Sequence, residues 1–75
     1  MIYPNPTKEL LTIEGQSLTS GMVVKIYNIR GLLVAEQKIV ADNRKINVKA
    51  LPEAVYFLAI EQNNITVYRT KFIKE

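Results

Sequence analysis

The amino-acid sequence predicts an all-β fold, an antiparallel β-sandwich of about seven short strands, and three observations carry that prediction. Apolar and polar residues alternate in short runs, turn-forming residues interrupt the runs at regular spacing, and no window shows a helical period. Thr7 to Leu11 has room for one helical turn, too short to stand alone.

Each element follows from this pattern. Leu11 and Ile13 point one way and Thr12 the other, a short strand. Met22 to Ile29 reads as the next, with Val24 and Ile26 on one face and Lys25 and Tyr27 on its opposite. Asn28-Ile29-Arg30-Gly31 then supplies an asparagine for the first position of a type I turn and a glycine for the left-handed position after it. Leu32 to Ile39 returns as the partner strand, with Leu33, Ala35 and Ile39 set against Glu36 and Lys38. Asp42-Asn43 is the next turn, and Ile46 and Val48 alternate with Lys45, Asn47 and Lys49 beyond it.

Leu51-Pro52-Glu53-Ala54 reads as a turn with proline fixing φ at its second position. Val55 to Glu61 is the clearest strand: Tyr56, Leu58 and Ile60 share one face, and Val55, Phe57 and Ala59 the other. Apolar residues on both faces predict a central strand covered on each side. Asn63-Asn64 suits a tight hairpin, since asparagine visits positive φ readily. Ile65 to Ile73 closes the chain as a long strand, and one domain covers residues 1–75.

Composition narrows the function classes. The chain has 75 residues, 48% of them hydrophobic, and a formal charge of +3 spread along its length. A nucleic-acid binder concentrates its basic residues on one stripe, and no such stripe or motif is visible, so no nucleic-acid partner is expected. With no histidine and no cysteine, the chain lacks the usual near-neutral proton shuttle and any thiolate metal site. Ser17 and Ser20 have no histidine to activate them, and no phosphate-cradling glycine loop or metal-ligand spacing appears. The expectation is a non-enzyme with no cofactor and no small-molecule substrate. Met1-Ile2-Tyr3-Pro4 has neither a basic nor an apolar signal-peptide region, and no apolar run approaches the roughly 20 residues that cross a bilayer.

Four stretches resemble, in order, the motifs of one known family. Ile2-Tyr3-Pro4-Asn5-Pro6-Thr7 resembles the opening of the type A C-terminal sorting domains carried by type IX secretion substrates in the Bacteroidetes. Val24 to Val34, with Gly31 in its turn, resembles the family's middle hairpin, and Ile46 to Ile60, with Tyr56, its later strand pair. Lys71-Phe72-Ile73-Lys74 resembles the terminal motif. Ala54 departs from the pattern, standing where the family usually has glycine; positive φ there would cost alanine about 1 kcal/mol.

The resemblance implies an immunoglobulin-like sandwich at the C-terminus of a larger cargo, with the present chain a fragment of that protein or a gene started late. It implies travel through the periplasm, recognition by the outer-membrane translocon, and a secreted or surface-attached product. A sortase-like surface peptidase would remove the domain from many cargoes. The residues singled out are Tyr3, Pro4, Asn5, Pro6, Gly31, Tyr56, Lys71, Phe72 and Ile73. Each also has a plainer role. Pro4-Asn5-Pro6 holds the chain extended, Tyr56 packs in the core with its hydroxyl bonded, and Lys71 guards a strand edge against pairing. A rival reading is an accessory carbohydrate-binding or adhesive sandwich using Tyr27 and Tyr68 as exposed aromatics, and a third is a structural spacer.

Overall fold

Alternating side chains face one another across two sheets in the computed structural model, which describes residues 2–14, 19, 21–40 and 44–75. The predicted Asp42-Asn43 turn and the loop residues Ser17 and Ser20 lie outside the described residues. Among the described residues seven strands run in chain order: β1 (Ile2–Tyr3), β2 (Leu10–Ile13), β3 (Val23–Tyr27), β4 (Leu33–Lys38), β5 (Lys45–Asn47), β6 (Ala54–Gln62) and β7 (Ile65–Lys74). One sheet has the order β1-β2-β5, the other β4-β3-β6-β7, and neighbouring strands are antiparallel throughout. This is the sandwich that the alternation predicts, with the strand number of an immunoglobulin-like fold.

The core lies between the sheets. Leu11, Ile13, Ile46 and Val48 come from the smaller sheet side, and Val24, Ile26, Tyr56, Leu58, Ile60 and Phe72 from the larger. All are buried because a period of two sends alternate residues of each strand to the same face. Full burial of a side chain such as Leu58 is worth about 1.5–3 kcal/mol, and a domain this small depends on each one.

Two hairpins form where the turn residues place them. Asn28 accepts from Gly31 N at 3.0 Å and donates its own N–H to Leu32 O at 2.9 Å. Its Oδ1 also accepts from the Arg30 and Leu32 amides, and Gly31 sits at φ +82°. Asn63 and Asn64 both take positive φ, 53° and 65°, as a type I′ turn requires.

Three expectations are corrected. Leu33 does not share the inner face with Ala35: a bulge after Ile26 sets Tyr27 opposite Leu33 while Ile26 opposes Ala35, leaving Leu33 outward and 48% exposed. The proline turn closes earlier than predicted. Asn47 Oδ1 accepts from Lys49 N at 2.9 Å and Leu51 N donates to Val48 O at 3.0 Å, so Pro52 follows the turn and Ala54 opens β6 without positive φ. Finally, β6 is central in its sheet, but only its inner face is well covered, for Phe57 on the other is 41% exposed. The Thr7 to Leu11 stretch contains no helix; Thr7 bridges to β7 and β2 begins at Leu10.

Candidate functional site

The two terminal motifs meet at one end of the sandwich. β1 belongs to the smaller sheet, and residues 4–6 bend so that Thr7 reaches the edge of the larger one at Lys74. The segment is therefore bent rather than extended, with cis peptide bonds at Tyr3-Pro4 and Asn5-Pro6. Thr7 N donates to Ile73 O at 2.9 Å, and Glu75 N donates to Thr7 O at 2.7 Å, forming a parallel bridge to Lys74. Asn5 completes it: its Oδ1 accepts from Ile73 N at 2.9 Å. The end of the edge strand thus has its outward N–H and C=O groups satisfied by the opening motif. Thr7 itself is buried, and its hydroxyl donates to Leu10 O at 2.7 Å, tying the clasp to β2.

Along β7 the terminal motif divides by face. Phe72 points inward, fully buried, and its ring stacks on Tyr56 with centroids 5.6 Å apart. Lys71 and Ile73 point outward, Lys71 in register with Phe57 and Ile73 with Val55. Tyr56 is equally a core residue: it is buried, and its hydroxyl donates to Pro52 O at 2.6 Å. Gly31 holds the β3–β4 turn.

Tyr3 is exposed and donates its hydroxyl to Glu14 Oε2 at 2.9 Å. That hydrogen bond, then the carboxylate's charge, then slight burial raise its pKa. Pro4, Asn5 and Pro6 are exposed. So Tyr3, Pro4, Asn5, Pro6, Lys71 and Ile73 present accessible groups, while Gly31, Tyr56 and Phe72 act through the fold.

Tyr27 and Tyr68 do not form a shared aromatic platform. Tyr27 is on the outer face beside Phe57, whereas Tyr68 is opposite Ile60 on the inner face and packs against the core. Thr7 was not among the singled-out residues, although it stands in the opening motif; its burial beside β7 depends on which strands are neighbours. Arg69 and Phe57, exposed on the outer face of the larger sheet, were not singled out either, although the apolar second face of β6 was a visible signal for Phe57. Among the described residues no group of three aspartate, glutamate, histidine or cysteine side chains could hold a metal ion. What the site offers is exposed apolar side chains such as Ile73 and, at Lys71, an exposed cation with no ion pair among the described residues, which suit binding.

The Secretion system C-terminal sorting domain family matches residues 1–75. The chain belongs to this family. The sorting domain is also similar to an ulvan lyase of Nonlabens ulvanivorans, 36% identical over 73 residues, covering 96% of this chain and 14% of that protein. A beta-agarase A of Zobellia galactanivorans is 30% identical over 74 residues, covering 96% of this chain and 12% of the agarase. The sorting domain thus spans about one seventh and one eighth of the length of these relatives. No solved structure matches it with statistical significance.

Proposed function

We propose that the chain is a non-catalytic export label, a C-terminal sorting domain that directs an upstream cargo across the outer membrane by the type IX system. The cargo crosses the periplasm first and is released or held at the cell surface. The carrying observation is the family match along the whole chain. The small share of each relative that the domain covers fits a label attached to a larger protein.

The outer-membrane translocon is the partner that reads the label, and a sortase-like surface peptidase removes it where cargo is processed. Tyr3, Pro4, Asn5, Pro6, Lys71 and Ile73 form the accessible part of the label. Gly31, Tyr56 and Phe72 keep its geometry. Because Asn5 and Thr7 bond to Ile73, the two motifs come together only in the folded domain. The chain itself is then a piece of a longer cargo protein.

Fusing residues 1–75 behind a periplasmic reporter tests this in a type IX-competent host. The reporter is expected at the surface or in the medium. Loss of residues 71–75 should return it to the periplasm, with circular dichroism needed to show that the truncated domain still folds, because Phe72 is part of the core. Periplasmic retention of the complete, folded fusion would refute the reading.

A further inference from the structure

The outer face of the larger sheet carries an apolar band. Leu33, Tyr27 and Phe57 are in register across β4, β3 and β6, and Val55 with Ile73 forms the next row toward the strand ends. Leu33 and Phe57 are 48% and 41% exposed, Ile73 43%. Beyond Tyr27 and Leu33 the β3–β4 turn projects Ile29 and Leu32, 73% and 59% exposed. At strand spacings of roughly 4.8 Å, three strands give a band about 10 Å across before the turn residues extend it. A sheet face open to water normally carries polar residues, and here they stand farther along the strands, at Lys25, Glu36 and Glu61, and on β7, at Arg69 and Lys71.

Charge on the same face is lopsided. Lys25 pairs with Glu61 at 3.0 Å, and Glu36 is in register with Lys25 on its other side. Arg69 and Lys71 of β7 form no ion pair among the described residues. They stand in register with Ala59 and Phe57. The small Ala59 side chain leaves a groove of about 450 Å³ bordered by Tyr27, Phe57, Glu61, Thr66 and Arg69.

We infer that this face is where the sorting domain docks on its protein partner, and that the partner presents an apolar centre with an acidic margin facing Arg69 and Lys71. The inference rests on the sorting reading and adds the face and the chemistry to it. An apolar centre inside a polar, charged rim is the anatomy of a protein interface. The cationic margin sets the complement: acidic groups that steer the encounter and fix its register. Lys71 links this face to the terminal motif, since its backbone lies two residues from the clasped Ile73.

The test uses the reporter fusion with two charge reversals that change net charge equally. Arg69→Glu/Lys71→Glu alters the proposed face, and Lys45→Glu/Lys49→Glu alters the other sheet. Export is expected to fall about tenfold or more for the first, to hold for the second, and to persist for Arg69→Lys/Lys71→Arg. Thermal melts of the three purified domains confirm that each is folded. If the Arg69/Lys71 reversal is exported like the unaltered fusion, or the conservative pair is as defective as the reversal, the docking face is wrong. If the unaltered fusion is itself retained in the periplasm, the sorting reading fails and this inference falls with it. A photo-crosslinker in place of Phe57 identifies the occupant, and a product joining two copies of this chain, or this chain and a glycan, would overturn the protein partner.

Discussion

Replacing Tyr56 by phenylalanine removes one oxygen and leaves the ring that stacks on Phe72. That oxygen donates a 2.6 Å hydrogen bond to the Pro52 carbonyl, in a side chain only 3% exposed. The loss is therefore one hydrogen bond plus partial desolvation of the carbonyl left behind. Net hydrogen bonds are worth about 1 kcal/mol, and an orphaned buried acceptor costs about 1–3 kcal/mol. Because Pro52 is itself exposed and water can replace part of the bond, the lower end applies, about 1–2 kcal/mol. For a domain of this size each kcal/mol lowers Tm by about 4–8 °C, so Tyr56→Phe should melt roughly 5–15 °C lower. Urea denaturation followed by circular dichroism gives the stability change, with an unaltered slope if the fold is intact. At temperatures where the variant remains folded, a reporter fusion carrying it should export as before. A change below about 0.3 kcal/mol would show that the hydroxyl does not hold the segment before β6. Lost export at undiminished stability would show instead that a partner touches Tyr56.

Other expectations follow from the same contacts. Gly31→Ala keeps open space around its new Cβ but places it at φ +82°, so it should cost about 1 kcal/mol; an unchanged melt would contradict the turn geometry. Ala54→Gly should lower stability by about 0.5–1 kcal/mol, because Ala54 opens a strand without positive φ and glycine only adds freedom to the unfolded chain; a higher Tm would restore the idea of a left-handed turn there. Asn5→Ala should leave the core intact and speed amide exchange at Ile73, whose N–H loses its acceptor, and unchanged exchange would disprove the clasp. Lys25 has its pKa raised above 10.5 by its hydrogen bond to Glu61, then by that carboxylate's charge. Its contribution to stability is complete below that ordinary value and is lost as pH rises through the raised folded value, so Lys25→Gln should flatten alkaline destabilisation; an identical slope would refute the pairing.

How much of this was legible in the sequence depends on the range of the interaction. Tyr56, Leu58 and Ile60 could be assigned inward because a two-residue period needs only neighbours in the chain. The Asn28–Gly31 and Asn63-Asn64 turns were legible for the same reason, each being a local preference for left-handed backbone. Leu33 was misplaced because a bulge after Ile26 shifts the period by one residue, and nothing in the run Leu32-Leu33-Val34 marks it. The turn before Pro52 was placed too late, since the Asn47 side chain, rather than the proline, organises the chain reversal. Apolar residues on both faces of β6 pointed to cover on both sides, whereas the outer one remains open at Phe57.

The site was legible in its parts and not as an assembly. Its motifs could be found at both ends of the chain, yet alternation fixes faces and not neighbours. That Asn5 bonds to Ile73, 68 residues away, required the strand order. The same order separated Tyr68 from Tyr27 and set Lys71 beside Phe57.

Whether this folded pair of sheets carries its passenger outward is tested most directly by where the reporter ends up in two hosts, one with a working type IX translocon and one without. Most of the reporter should lie outside the periplasm in the first and inside it in the second. Equal distribution in both hosts, with the attached domain intact and resistant to protease, would contradict the account.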